Sequence, residues 1–203
     1  MSQIWFTADL HFDHLNTINF DKRPFASIEE MNDAIVQRWN TKVDRKDEVY
    51  IIGDFAWKNH GHWIQALTGK KHLLVGSHDK MAQNYLRNFN SVSPLKQITI
   101  DRQPIVMCHW ALRTWQGKGY GTWNLYGHSH GRLIEHIDSY HSDVGCMVWD
   151  YTPVSFEELK LKFASRKEAW QHTHSGGRDE PEELASMDLQ VETLATENRR
   201  FRI

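Results

Sequence analysis

Five short apolar stretches of this chain each end on residues that bind metals, and this pattern constrains the fold more than any other feature. Stretches of this length are typical of buried strands. Ligands gather at the carboxyl ends of strands in open α/β sheets, so five such strands would bring carboxylates and imidazoles to one edge. The five endings are Asp9-Leu10-His11, Gly53-Asp54, Gly76-Ser77-His78-Asp79, His109 and Gly127-His128-Ser129-His130.

Length, charge and cysteine content narrow the class of protein. The chain has 203 residues, enough for one domain with a sizeable core. Its net charge of -2 gives no strong basic field for long nucleic acid or an anionic membrane. Its two cysteines, Cys108 and Cys146, do not form a disulfide framework. We expect no signal peptide, no membrane partner and a cytoplasmic location.

The first half of the chain alternates between strands and helices, which predicts an α/β sheet. Ser27 and Glu30 form a capping-box pattern, and apolar residues at helical spacing follow as far as Trp39. Two further helices are predicted, at His62–Leu67 and at Lys80–Phe89.

The second half is predicted to form an antiparallel or mixed meander, because its strands are not separated by long helices. Residues 1–170 make one domain, which the helix Ser155–Trp170 closes; residues 171–203 make a polar linker and a C-terminal helix. That helix is expected to pack on the domain, with self-association through it as the alternative. The predicted strands are Leu95–Ile100, Pro104–His109, Trp123–Tyr126, Arg132–Ile137 and Ser142–Trp149.

The motif residues together supply ligands for two divalent cations. Asp9 and His11 are separated by one residue and share a face in strict strand geometry, as do His128 and His130. Asp54 could bridge two cations about 3.5–4 Å apart, which would activate water and clamp a phosphoryl centre. Oxygen and nitrogen donors without thiolate suit Mn²⁺, which we favour, or Fe, Zn, Ni or Co. A single structural metal is the less favoured alternative, because such sites are usually closed Cys/His sets.

The motif series closely resembles that of the calcineurin-like metallophosphoesterases over residues 4–155. The stretch Asp9–Asn16, with Arg23-Pro24-Phe25, Val144-Gly145 and Pro153-Val154-Ser155, resembles a small single-domain bacterial and phage branch of that family. The resemblance implies a mixed α/β fold, a four-layer α-β-β-α sandwich with a dinuclear site on one edge. It also implies a phosphoesterase in which a metal-bridged hydroxide attacks a phosphodiester or a small phosphomonoester.

The resemblance also implies a role for each motif residue. Asp54 bridges the metals, His78 stabilises developing charge or protonates the leaving oxygen, and Asp79 orients His78. The remaining ligands are Asp9, His11 and His130 for the first metal, and His109 and His128 for the second.

Ser77 is the one motif position that departs from the family pattern, which has asparagine there. A serine hydroxyl is shorter and a poor ligand, so water could complete a weaker second metal site. Alternatively, the change inactivates the site and leaves a binding or scaffold module. The presence of His78 and Asp79 favours the catalytic interpretation.

Three further residues are candidates for binding a small phosphoester or nucleotide-type substrate. Arg113, in the loop Ala111–Gly121, could hold a phosphate oxygen bidentately. Arg23 and His14 are secondary candidates at the rim, and His14 could instead be a packing residue. The indoles of Trp110, Trp115 and Trp123 could stack on a base or pack the loop onto the domain, with at least one of them in the core.

Overall fold

The computed structural model describes residues 2–79, 86–137 and 139–166. The predicted linker and C-terminal helix at 171–203 lie outside the described residues, as does most of the predicted helix at Lys80–Phe89. The division of the chain at residue 170 therefore stays a prediction.

Four strands of the first half and one short strand at Val154–Ser155 form a five-stranded sheet in the order β4-β3-β2-β1-β9. Neighbours from β1 to β4 are parallel, and β9 pairs antiparallel with β1. The predicted alternation is confirmed, since helices α1 (Asn16–Phe20), α2 (Ile28–Lys42) and α3 (His60–Ala66) lie between strands of this sheet. The strands are β1 (Ile4–Thr7), β2 (Glu48–Ile51), β3 (Lys70–Leu74), β4 (Ser91–Ser93) and β9 (Val154–Ser155).

The longest of these helices, α2, begins where the sequence predicted. The Ser27 hydroxyl oxygen accepts a hydrogen bond from the Glu30 backbone N–H, which satisfies a donor that the helix start leaves free. Met31, Ile35 and Trp39 form its buried face. This stripe fixes the side of the helix that packs on the sheet.

The second sheet has four strands in the order β5-β6-β7-β8. It is mixed, as one of the two predicted alternatives had it, but it is not a meander, because β6, β7 and β8 are parallel neighbours. Its strands are β5 (Leu95–Ile100), β6 (Gln103–Cys108), β7 (Trp123–Tyr126) and β8 (His141–Asp143).

One predicted strand in this half is wrong, and a second is only partly right. Residues 132–137 form no strand, because Ile134 and Ile137 are exposed while Glu135 accepts hydrogen bonds from Asp143 N–H and Lys162 Nζ. The stretch predicted as the strand Ser142–Trp149 leaves the sheet after Asp143 and turns into a short 3₁₀ helix, Cys146–Trp149. In residues 132–137, hydrogen bonds to the half-buried Glu135 carboxylate thus take the place of the predicted strand.

Alternate residues of the first sheet face two separate cores. Trp5, Val49 and Leu73 point to the core beneath α2 and α3. Phe6, Tyr50 and Leu74 point to the core shared with the second sheet, where Leu125 also lies. Helix α4 (Phe156–Ala164) closes this second core with its three predicted inward residues, Phe156, Leu159 and Phe163. The predicted mixed α/β class is confirmed.

No helix among the described residues combines the length and apolar character needed to cross a membrane.

Candidate metal centre

The first two motifs lie just beyond their strands, and their backbones are joined. The Asp9 N–H donates to the Gly53 carbonyl and the His11 N–H donates to the Asp54 carbonyl, each at 3.0 Å. Asp9 and His11 have φ angles of 55° and 53°, so they lie in the left-handed region and not in β1. The argument that strand alternation puts them on one face was therefore wrong, although they do meet.

The six predicted Asp and His ligands form two groups. In each group the ligand atoms lie within 4.8 Å of one another. His128 and His130 fall in different groups, which is the division implied by the resemblance and not by a shared strand face. The groups are Asp9, His11 and His130, and Asp54, His109 and His128.

One carboxylate oxygen lies between the two groups. Asp54 Oδ2 is 3.6 Å from His11 Nε2 and 3.5 Å from His109 Nε2. Both nitrogens are buried and have no hydrogen-bond partner in the described part of the chain. Buried polar atoms are normally satisfied, and nitrogens aimed at a carboxylate from beyond hydrogen-bond distance leave room for cations. These residues therefore fit the two-metal centre that the sequence predicts.

Five of the ligand residues have positive φ angles, a strained backbone conformation for residues other than glycine. Residues in the left-handed region cost about 1–3 kcal/mol each and persist where the surroundings fix them, often at binding sites. Gly76 packs directly against the Asp54 carboxylate. A Cβ at position 76 would lie 2.4 Å from Asp54 Oδ1, which is too close. Beyond Asp9 and His11, the ligands with positive φ are Asp54 (55°), His128 (64°) and His130 (50°).

Two of the ligand imidazoles are oriented by hydrogen bonds from Nδ1 to a neighbouring oxygen. His130 Nδ1 donates to Asp21 Oδ2 at 2.7 Å, and His109 Nδ1 donates to the Ile52 carbonyl at 2.9 Å. Each bond keeps the proton on Nδ1, so Nε2 offers its lone pair to a metal. Sequence reasoning missed Asp21, because no motif marks it.

We expect Asp21→Ala to weaken Mn²⁺ binding by about 10–100-fold, since His130 loses the partner that fixes its tautomer. Competitive titration with a metal-chelating dye measures this affinity. Asp33→Ala, which removes an exposed carboxylate from α2, serves as the control. Equal affinities in both variants would contradict the assigned role of Asp21.

Burial and charge set the protonation of the ligands in the metal-free centre. Burial lowers the pKa of His11 to about 2, so its imidazole is neutral and able to bind a metal. Burial also acts to lower the pKa of His109, but the neighbouring Asp54 carboxylate outweighs it and raises that pKa to about 9.

The third motif wraps around Asp54. The His78 backbone N–H donates to Asp54 Oδ1 at 2.8 Å, and Ser77 Oγ donates to Asp54 Oδ2 at 3.0 Å. Ser77 therefore contacts the carboxylate that is predicted to bridge the metals. The His78 ring is 41% exposed, with Nε2 4.0 Å from Asp54 Oδ2, so it faces both the centre and solvent.

Asp79 is predicted to orient His78, but its hydrogen bonds go to the backbone of the neighbouring loops instead. Its buried carboxylate accepts backbone N–H bonds from Asp54, Phe55 and Gly76 at 2.7–2.9 Å. A buried carboxylate needs donors, and these loops supply three of them. Asp79 thus fixes the backbone that carries Asp54.

The substrate candidates take different positions. Arg113 is exposed, and its carbonyl accepts a hydrogen bond from Lys118 Nζ. Arg23 is 3% exposed and donates to the Asp9 and Leu10 carbonyls, so it supports the centre from inside and does not lie at the rim. Its guanidinium is buried because those turn carbonyls need donors. His14 is half-buried, and its ring centroid lies 5.7 Å from that of His78.

The tryptophans of the aromatic loop divide between core and surface. Trp115 and Trp123 are buried, which confirms that at least one lies in the core. Trp110 is 44% exposed and lies edge-on to His109. Another indole, that of Trp57, is 49% exposed beside His78. Sequence analysis gave Trp57 no role.

Comparisons with known proteins support the fold. No family model matches the sequence. An uncharacterized protein of Methanocaldococcus jannaschii is 27% identical over 170 residues, which cover 77% of this chain and 89% of that protein. A solved protein of unknown function from Aquifex aeolicus superposes with a TM-score of 0.64 at 20% identity, covering 80% of this chain and 100% of that one. A solved archaeal phosphodiesterase gives a TM-score of 0.47 at 18% identity, covering 72% of this chain and 86% of that one.

The two facing sheets and the convergence of all five motifs at one edge match the architecture that the motif series implied. The chain shares this fold with the solved Aquifex aeolicus protein. Within this fold, the ligand groups lie beyond the ends of β1, β2, β6 and β7, and the third motif lies beyond β3.

Proposed function

We propose that this protein is a hydrolase of phosphodiesters that works with two divalent cations. One observation carries the proposal: a single buried oxygen of Asp54 faces unpartnered nitrogens from both ligand groups. A cation in each group would satisfy those nitrogens and share the Asp54 carboxylate. Small phosphomonoesters are the alternative substrates.

The cations would supply Lewis acidity, lowering the pKa of a water molecule and neutralising charge on the phosphoryl oxygens. The chain supplies the rest. Asp9 and Asp54 are buried carboxylates, one from each ligand group, and they would hold the cations. Because its ring is partly exposed beside Asp54, His78 can reach a leaving oxygen on the open side and donate a proton or stabilise charge there.

We propose Mn²⁺ as the metal. The two groups offer carboxylates and imidazoles without thiolate, a set that suits intermediate divalent ions. Zinc, iron, cobalt and nickel are compatible with the same donors. Metal analysis of protein isolated without added metal would rank them.

A catalytically impaired binding module is the second candidate, and Ser77 is the observation that favours it. The Ser77 hydroxyl donates a hydrogen bond to Asp54 Oδ2 at 3.0 Å, and a neutral hydroxyl is a poorer metal ligand than an amide oxygen. The second group then has three protein ligands besides any water. A weak second metal would lower turnover while leaving the fold intact.

The test is hydrolysis of bis-p-nitrophenyl phosphate with added Mn²⁺, run beside Ser77→Asn. We expect turnover by the unmodified chain that a chelator abolishes. We expect Ser77→Asn to bind its second Mn²⁺ more tightly and turn over faster, because an amide oxygen is a better ligand than a hydroxyl.

The outcomes separate the two candidates. Turnover confined to Ser77→Asn would mark this chain as an impaired member. If neither protein hydrolyses the diester or p-nitrophenyl phosphate, the hydrolase proposal is wrong. Unchanged Mn²⁺ affinity and unchanged turnover in Ser77→Asn would mean that serine at position 77 does not weaken the second metal site.

A further inference from the structure

An exposed indole stands beside the predicted general acid. The centroids of the Trp57 and His78 rings are 5.7 Å apart. A cavity of about 440 Å³ opens at this point, and the described residues that line it are Trp57, His60, Ser77 and His78. Its volume falls in the range of small-ligand sites. The cavity thus lies beside the third motif, on the side where His78 is exposed.

The Trp57 ring is held in place and is not a loose surface side chain. His14 stacks on it with centroids 4.6 Å apart and an angle of 10° between planes. The Trp57 backbone N–H donates to the Phe12 carbonyl at 2.7 Å. Two residues further on, Asn59 Nδ2 donates to Asp13 Oδ2 at 2.8 Å. A ring oriented in this way can bind a flat partner with little loss of conformational freedom.

Trp57 borders two cavities. His14 and Asp13 line a smaller cavity of about 150 Å³ on which Trp57 also borders, whereas Ser77 and His78 line the larger one. His14 stacks on the indole, which is still 49% exposed and borders the larger cavity. A partner in that cavity lies next to His78, whose Nε2 is 4.0 Å from Asp54 Oδ2.

We infer that Trp57 is the stacking platform of a subsite for a nucleobase, so that the substrate is a nucleotide phosphodiester. The inference rests on the proposed function, because it assumes that the phosphate lies at the metal centre. Stacking of a base on an aromatic side chain requires only a π-face and tolerates any base. The subsite therefore selects nucleotides over simple alkyl phosphodiesters without reading their sequence.

Calorimetric binding of AMP and of ribose 5-phosphate to the Mn²⁺-loaded full chain tests this inference. The two ligands share the phosphate and the sugar and differ in the base. We expect AMP to bind about tenfold more tightly, Trp57→Leu to remove this preference, and Trp57→Phe to keep most of it. Trp110→Leu, which removes an indole of similar exposure beside His109, is the matched comparison.

An unchanged AMP preference in Trp57→Leu, or its loss in Trp110→Leu instead, would overturn the inference. Turnover of bis-p-nitrophenyl phosphate, measured on the same samples, keeps the two claims apart. Turnover without an AMP preference defeats the subsite alone. An AMP preference that depends on Trp57, without turnover of that diester or of p-nitrophenyl phosphate by this chain or by Ser77→Asn, supports the subsite and defeats the hydrolase proposal.

Discussion

Replacing Asp54 with asparagine is expected to abolish binding of both cations and to lower phosphodiester turnover by about a thousandfold or more. Asp54 Oδ2 faces His11 of one ligand group and His109 of the other at 3.6 and 3.5 Å. A neutral amide keeps the shape of the side chain but removes the charge that both cations share. Metal content after equilibrium dialysis and turnover at saturating Mn²⁺ measure the two effects.

Asp101→Asn is the matched control for this change. Asp101 is an exposed carboxylate in the turn between β5 and β6, at a φ of 47° that asparagine also tolerates. We expect it to keep the metal content and turnover of the unmodified protein. If Asp54→Asn also kept both metals, Asp54 would not bridge them, and the account of the centre would fail.

The second large effect is expected for His78→Ala, which should lower turnover by about 10²–10⁴-fold while both metals stay bound. The change spares the backbone N–H that donates to Asp54 Oδ1, so the centre keeps its shape. The loss reflects the imidazole alone, because His78 belongs to neither ligand group.

The leaving group decides which role His78 has. If the ring protonates the leaving oxygen, the loss should be small for p-nitrophenyl esters, whose leaving group needs no proton, and large for a dinucleotide. Equal losses for both substrates would indicate charge stabilisation instead. His136→Ala, an exposed histidine outside the centre, is the control. Loss of metal from His78→Ala would contradict the assignment.

The ligand residues could be located from sequence because the strand ends carry them. Buried strands are short and apolar, so Asp9, Asp54 and His109 mark the points where β1, β2 and β6 end. The reason first given for pairing Asp9 with His11 was wrong. Both lie beyond the strand in left-handed turns, a conformation that strand periodicity does not predict.

The supporting residues could not be derived in the same way. Asp79 was expected to hold the His78 ring, but three backbone N–H groups from neighbouring loops take its oxygens. Arg23 was expected at the rim of the site, but it is buried and donates hydrogen bonds to the Asp9 and Leu10 carbonyls. Such contacts depend on which turns lie side by side, and a single sequence does not record that.

Trp57 and Asp21 show the same limit for residues outside any motif. Trp57 is three residues from Asp54, in a sequence with nine tryptophans, and only its exposure beside His78 distinguishes it. Asp21 directly follows α1, and it hydrogen-bonds to His130 only because the fold brings the end of this helix next to the fifth motif.

The most direct test of the two-metal centre is the number of Mn²⁺ ions bound per chain at saturation, measured by elemental analysis after equilibrium dialysis. The geometry of the two ligand groups predicts two ions per chain, the second weaker because Ser77 replaces a better ligand. A single ion per chain at saturation, or none, would contradict the account.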